Sequence, residues 1–277
     1  MGGEVFNVIG IAILVLIAII SIYIFLIYGE KVPEKQCKWL KTRDFAHRGL
    51  YTMDQTVPEN SIKAFQKAID SNYGIELDVA FTKDKRTVVF HDDNLFRMTG
   101  LNKDIRECTL KEVESLTLKN TDSKIPLFKD VLKFIDGKVP LIIEIKTCKD
   151  RDRICDAVYK ELQGYKGDFC IESFDPLIIN RIKKLMPNVI RGQLSMNYRN
   201  SKTPILILRF ALQNLLLNFK SRPNFIAYNW EDRNNLSFKI LKKMGIITVA
   251  WTVNSEDALR ICRNEFDTII FEYCKPQ

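Results

Sequence analysis

Three carboxylates, a lysine and two histidines lie where short apolar runs end, and together they could act on an anionic ester. In Ile75-Glu76-Leu77-Asp78-Val79, side chains two apart share one face of an extended chain, so Glu76 and Asp78 point one way and the aliphatics the other. If the aliphatics meet packed helices, the carboxylates face an interior. Adjacent buried anions are costly unless neutralised, and a bound divalent cation neutralises them economically. A lone Glu-x-Asp more often sits on a solvent-facing strand. Here a second run repeats the pattern, because Ile142-Ile143-Glu144-Ile145-Lys146 puts Glu144 and Lys146 on one face. Glu76, Asp78 and Glu144 then form an oxygen-ligand set suited to Mg²⁺ or Ca²⁺, with waters or substrate oxygens completing the shell. The chain has only two histidines, His47 and His91, each at the end of an apolar run and each followed by a polar partner, Arg48 and Asp92. One histidine in such a place is more often structural. Two groups that titrate near neutrality are what a paired general acid and base require.

In chain order, Ala46-His47-Arg48-Gly49, Pro58-Glu59-Asn60-Ser61, Glu76-Leu77-Asp78-Val79, Val89-Phe90-His91-Asp92, Glu144-Ile145-Lys146, Ser173-Phe174 and Trp251-Thr252-Val253-Asn254 resemble the motifs of the glycerophosphodiester phosphodiesterase family. The likeness runs from about Arg43 to Tyr273 and rests on the order and spacing of motifs that are each weak alone. It implies a (β/α)8 barrel in which Glu76, Asp78 and Glu144 hold the metal, His47 and His91 act as acid and base, Arg48 and Lys146 meet the phosphate, and Trp251 lines the substrate pocket. It also implies that a substrate hydroxyl beside the phosphodiester attacks phosphorus and that water opens the cyclic phosphate. Which histidine takes which role stays open. Two segments depart from the family pattern: a loop at 50–57, placed at the mouth, and a long apolar stretch at 204–219, where small soluble members would have a shorter connection. The second tilts the substrate from a soluble glycerophosphodiester toward a lysophospholipid.

The elements that must position these groups follow from periodicity. Strand-like runs at 44–47, 75–81, 140–147, 168–174, 189–194, 224–229, 247–253 and 268–272 alternate with helical patterns at 60–72, 151–165, 176–186 and 255–265. That rhythm predicts parallel βα units closing into a TIM barrel, with polar groups gathered at the strands' C-terminal ends. An extra extended run at 87–91 and a helical pair across 110–135 lengthen one connection.

From Val8 to Tyr28 the chain carries no charge over a length that spans a bilayer core, which predicts a transmembrane helix at 1–29, a basic linker at 30–42 and a barrel at 43–277 with an apolar insertion at about 197–222. A cleaved signal peptide fits less well, since no basic n-region precedes the apolar run. Lys31, Lys35, Lys38, Lys41 and Arg43 follow the helix, so the positive-inside rule predicts a cytoplasmic barrel. The formal net charge of +8 is scattered, with no basic helix or zinc-ligand spacing, which argues against a nucleic-acid partner; no protein partner is predicted either. Seven widely spaced cysteines suggest neither a disulfide framework nor a zinc site. The competing reading is a non-catalytic, membrane-tethered barrel that binds phosphodiester headgroups or a partner protein. The membrane contact is expected through the N-terminal helix and through 205–219.

Overall fold

Strands this short and this apolar are stable only when both faces are covered, and in the computed structural model of the chain helices cover the outside of a closed sheet. The structure describes residues 2–199 and 205–276. The strands are β1 (Phe45–Ala46), β2 (Gly74–Phe81), β3 (Thr87–Val89), β4 (Leu141–Ile145), β5 (Phe169–Ser173), β6 (Ile190–Ser195), β7 (Phe225–Asn229), β8 (Ile247–Val253) and β9 (Thr268–Phe271). The helices are α1 (Gly2–Ile27), α2 (Glu34–Lys41), α3 (Ile62–Asp70), α4 (Phe96–Thr99), α5 (Leu110–Ser115), α6 (Phe128–Ile135), α7 (Arg151–Leu162), α8 (Pro176–Leu185), α9 (Leu206–Gln213), α10 (Asn218–Ser221), α11 (Leu236–Lys243) and α12 (Glu256–Glu265).

All strands but β3 pair in parallel, and β1 bonds both β2 and β9, so the sheet closes into the expected barrel. β3 runs antiparallel along the upper end of β2, which accounts for the extra extended run and returns the chain to the level of Asp78, where the Phe90 amide donates to the Asp78 carbonyl. Each predicted strand is present. The first is shorter than its run, because only Phe45 and Ala46 join the ladder before a turn in which Arg48 and Gly49 adopt positive φ.

The interior alternates with the outside, as period-2 strands require. Its lower half is apolar, made of Phe45, Ile142, Cys170, Ile190, Phe225, Ile247, Val249 and Ile270. Gly192 makes room for this layer, since a Cβ there would lie 2.1 Å from the Phe225 ring. The segment expected as a linker holds α2, which buries Cys37 and Leu40 in the same cluster and so plugs the N-terminal end of the barrel. Its spacing puts those two on one face, and the lysines point to solvent.

The apolar insertion, whose run at 205–219 reads as a single helix, is not one long helix. Residues 200–204 lie outside the described residues; beyond them, α9 and α10 are separated by Leu215, which is buried at φ 57° and turns the chain after the first helix. Burying Leu215 while the Asn218 side chain donates to the Ile27 carbonyl ties this turn to the end of α1, which a continuous helix would not do. The apolar residues of α9 remain outside, with Ile207 82% exposed.

Candidate active site

Register brings the site together. β2 and β4 are neighbours with Asp78 opposite Glu144, and β5 continues the same level with Glu172 opposite Glu144. Oxygens of Glu76, Asp78 and Glu144 lie within 4.8 Å of one another, and all three side chains are buried. Burial, reinforced by the neighbouring carboxylates, pushes Glu76 well above the usual range. Burial also raises Glu144, against the pull of Lys146. Asp78 goes the other way: burial alone would raise it, but Lys146, His91, Arg48 and the Asn60 amide hold it below the carboxylate range. Glu172 is raised by burial and by Glu144 and Asp78, and one of its oxygens has no hydrogen-bond partner. Four buried carboxylates face few cations, and all donors are oxygen. That set fits a hard divalent cation, and Glu76, Asp78 and Glu144 converge closely enough that they could hold one.

Lys146 Nζ lies 2.9 Å from Glu144 Oε1 and 3.2 Å from Asp78 Oδ1, while the Arg48 guanidinium meets Glu59 at 2.7 Å and Asp78 at 3.6 Å. The turn after β1 also aims the Arg48 amide at Glu76 Oε2, 2.9 Å away. Arg48 Nε, which faces Asp78 at 3.6 Å, is buried and makes no hydrogen bond. Asn60 donates to Asp78 Oδ2 at 2.9 Å and so fixes that carboxylate. The next residue, Ser61, caps α3, which ties the Pro-Glu-Asn-Ser run to the site on one side and to the outer layer on the other.

The two histidines are held by carboxylates of their own. His47 Nδ1 is 2.8 Å from Glu272 Oε2, which also accepts from the Tyr51 hydroxyl at 2.6 Å, and His47 Nε2 lies 4.0 Å from Glu76. Burial, aided by Arg48, lowers the His47 pKa against the opposing pull of Glu272. His91 Nδ1 is 2.7 Å from Asp92, which binds Arg97, and Arg97 binds Glu59 at 2.6 Å. A continuous chain of charges thus joins His91 through Asp92, Arg97, Glu59 and Arg48 to Asp78. Trp251 sits at the upper end of β8, edge-on to Phe174 with centroids 5.4 Å apart, and its indole N–H is buried without a partner.

All eight side chains singled out in the sequence therefore lie at one end of the barrel. Asp92 is the partner of His91 that the sequence offered, and Glu59 stood in a motif without a role; Arg97, Glu172 and Glu272 were missed as members of the site. Glu172 had a signal: Cys170-Ile171-Glu172 ends a strand with an inward carboxylate, as Ile142-Ile143-Glu144 does. Glu272 had only its place after the last strand.

A sequence profile of the Glycerophosphoryl diester phosphodiesterase family matches residues 47–274. The glycerophosphodiester phosphodiesterase of Caldanaerobacter subterraneus subsp. tengcongensis is 33% identical over 166 residues, covering 56% of this chain and 67% of that protein. The lysophospholipase D of Rattus norvegicus is 30% identical over 141 residues, covering 46% of this chain and 44% of that protein. The crystal structure of the glycerophosphodiester phosphodiesterase from Thermotoga maritima superposes with a TM-score of 0.62 at 28% identity, covering 82% of this chain and 92% of that one.

Proposed function

Because the chain belongs to the glycerophosphoryl diester phosphodiesterase family, and is thereby a phosphoric diester hydrolase, we propose that it cleaves a glycerophosphodiester or lysophospholipid by histidine acid and base catalysis at a membrane that its N-terminal helix spans. The observation that carries this reading is the convergence of Glu76, Asp78 and Glu144 with two carboxylate-held histidines at one barrel end. A divalent cation, Mg²⁺ or Ca²⁺, held by those three carboxylates would offset the charge that develops on the phosphoryl oxygens.

His47 is suited to be the base. With Nδ1–H donated to Glu272, the Nε2 lone pair faces the carboxylate cluster, and the lowered pKa keeps the ring neutral near pH 7. It takes the proton of a substrate hydroxyl as that oxygen bonds to phosphorus. His91 then protonates the departing alcohol as its P–O bond breaks, and water later opens the cyclic phosphate. Arg48 and Lys146 bind the phosphate, and Trp251 lines the pocket.

Anchoring is supported by how α1 ends. The stretch Phe6–Ile27 is long and apolar enough to cross a membrane. Ile27 is fully buried against the barrel, its carbonyl accepts from Asn218, and the Glu30 amide donates to Pro223, so the last turn of α1 is built into the outer layer. Cleavage as a signal peptide would strip that turn away. The basic residues that follow the helix favour the cytoplasmic side for the barrel. Protease added to intact cells is expected to spare the barrel and to cut it only after lysis; cutting in intact cells reverses the sidedness.

For the substrate, the detergent-purified full chain should release alcohol from both a water-soluble glycerophosphodiester and a lysophospholipid, and faster from the second. Release from neither, with Mg²⁺ or Ca²⁺ present, ends the proposal.

A further inference from the structure

We infer that the barrel stands with its catalytic mouth against the bilayer that α1 spans, so that the substrate is a lipid drawn directly from that bilayer. The inference rests on the phosphodiesterase reading above and names the source of its substrate.

The first support is the direction of α1. Gly29 and Glu30 meet Pro223 and Ile246, which precede β7 and β8 and mark the N-terminal end of the barrel. One helical turn earlier, Ile27 and Phe25 meet Asn218 and Phe219. Earlier still, the Tyr23 hydroxyl lies 2.7 Å from Ser237, in the first turn of α11, just after the C-terminal end of β7. Read backward, α1 therefore climbs the barrel wall from its N-terminal end to its catalytic end and continues beyond it. Residues 6–22 are exposed throughout and project past that face.

Length then fixes the distance. The 22 residues from Phe6 to Ile27 make about 33 Å of helix, against roughly 30 Å of hydrocarbon core. Nearly the whole helix is needed to cross, and its last turns are already docked on the barrel. No spacer is left to hold the mouth away from the lipid.

The second support is independent of α1. Outside that helix, every exposed large hydrophobic side chain among the described residues falls in a connection leaving the C-terminal end of a strand or in the first turn after one. Met53 follows β1, Phe96 lies between β2 and α6, Leu177 opens α8, Ile207 is on α9, Leu236 opens α11 and Tyr273 follows β9. The opposite end instead exposes Lys35 and Lys38 of α2. α9 itself sits beside the mouth, because the Ser195 and Tyr228 hydroxyls, near the ends of β6 and β7, donate to the Leu212 and Gln213 carbonyls. Separate apolar tips in the connections around a polar mouth, at the barrel end that the spanning helix reaches, match a lipid surface.

The test uses the full chain in liposomes. In a Cys148→Ser background, an environment-sensitive fluorophore is placed at Phe96→Cys, Ile207→Cys and, as control, Lys38→Cys, and quenching by a spin label carried on a shallow lipid acyl position is read. Quenching at 96 and 207 but not at 38 is expected. Quenching at 38, or none at 96 and 207, overturns the orientation, including the case in which a partner protein covers the tips. In parallel, the double variant Ile207→Ser/Phe210→Ser should lose about 10-fold in turnover of lysolipid in vesicles while its rate on a soluble glycerophosphodiester stays within about twofold. Equal loss on both substrates also overturns it. A wild type that hydrolyses neither substrate would sink the phosphodiesterase reading alone, since the quenching pattern needs no turnover.

Discussion

His47→Ala and His91→Ala should each lower kcat by at least about 100-fold, the scale of losing a positioned acid or base. The size of the loss follows from the wiring of each ring. His47 is locked between Glu272 and the carboxylate cluster, and His91 is tied to Asp92, so neither can be replaced by a neighbour: the chain contains no third histidine. Both sit just past strand ends, with no apolar layer built on them, so thermal melting should change little. A variant that keeps near-wild-type turnover removes its histidine from the mechanism. Glu272→Gln refines the assignment. Glu272 opposes the burial that lowers the His47 pKa, so removing its charge lowers that pKa further. The base then stays unprotonated to lower pH, and the acid limb of the kcat/KM profile should move down in pH. If the limb stays in place, the base is not His47.

Chelation by EDTA should abolish activity and Mg²⁺ or Ca²⁺ restore it, and Glu144→Ala should weaken metal binding without unfolding the chain. Three buried carboxylates within 4.8 Å repel one another, and a divalent ion turns that repulsion into binding. A metal that binds only the folded chain should raise Tm with concentration, by about 2.7 kcal/mol of stability at 100 times Kd. Glu144→Ala should lose that shift while melting, metal-free, no lower than wild type. The same strain has a pH signature. Glu76, Glu144 and Glu172 bind protons more tightly folded than unfolded, so these three should add stability to the chelated protein as pH falls toward about 4.3, the ordinary glutamate value, partly offset by His47, whose lowered pKa subtracts stability below about 6.5. Full activity in chelator, or melting that ignores added metal, refutes the ligand set.

The residues at strand ends were legible because the signal is local. A period of two places Glu76 with Asp78 and Glu144 with Lys146, and an apolar run fixes which face is inward, so neighbouring positions alone disclose an inward carboxylate. Leu215 shows where local reading stops. The apolar composition of 205–219 suits a helix throughout, yet α9 ends at Gln213 and the chain turns at Leu215, where that side chain and Asn218 find partners in the barrel and in α1. Burial elsewhere in the molecule outweighed local propensity.

By itself, then, the sequence disclosed the strand rhythm, the inward-facing carboxylates and the histidines at strand ends, since each depends on residues a few places apart and on an apolar face that must be buried. Tertiary structure alone decided which groups support them. Glu272 reaches His47 across 225 residues, Glu59 reaches Arg97 across 38, and Tyr23 reaches Ser237 across 214. Those partners meet only once the strands are in register and the ring has closed, and closure is a long-range property that no local pattern encodes. The way α1 leaves the barrel belongs to the same class, because it is set by contacts with α10 and α11 that exist only in the folded chain.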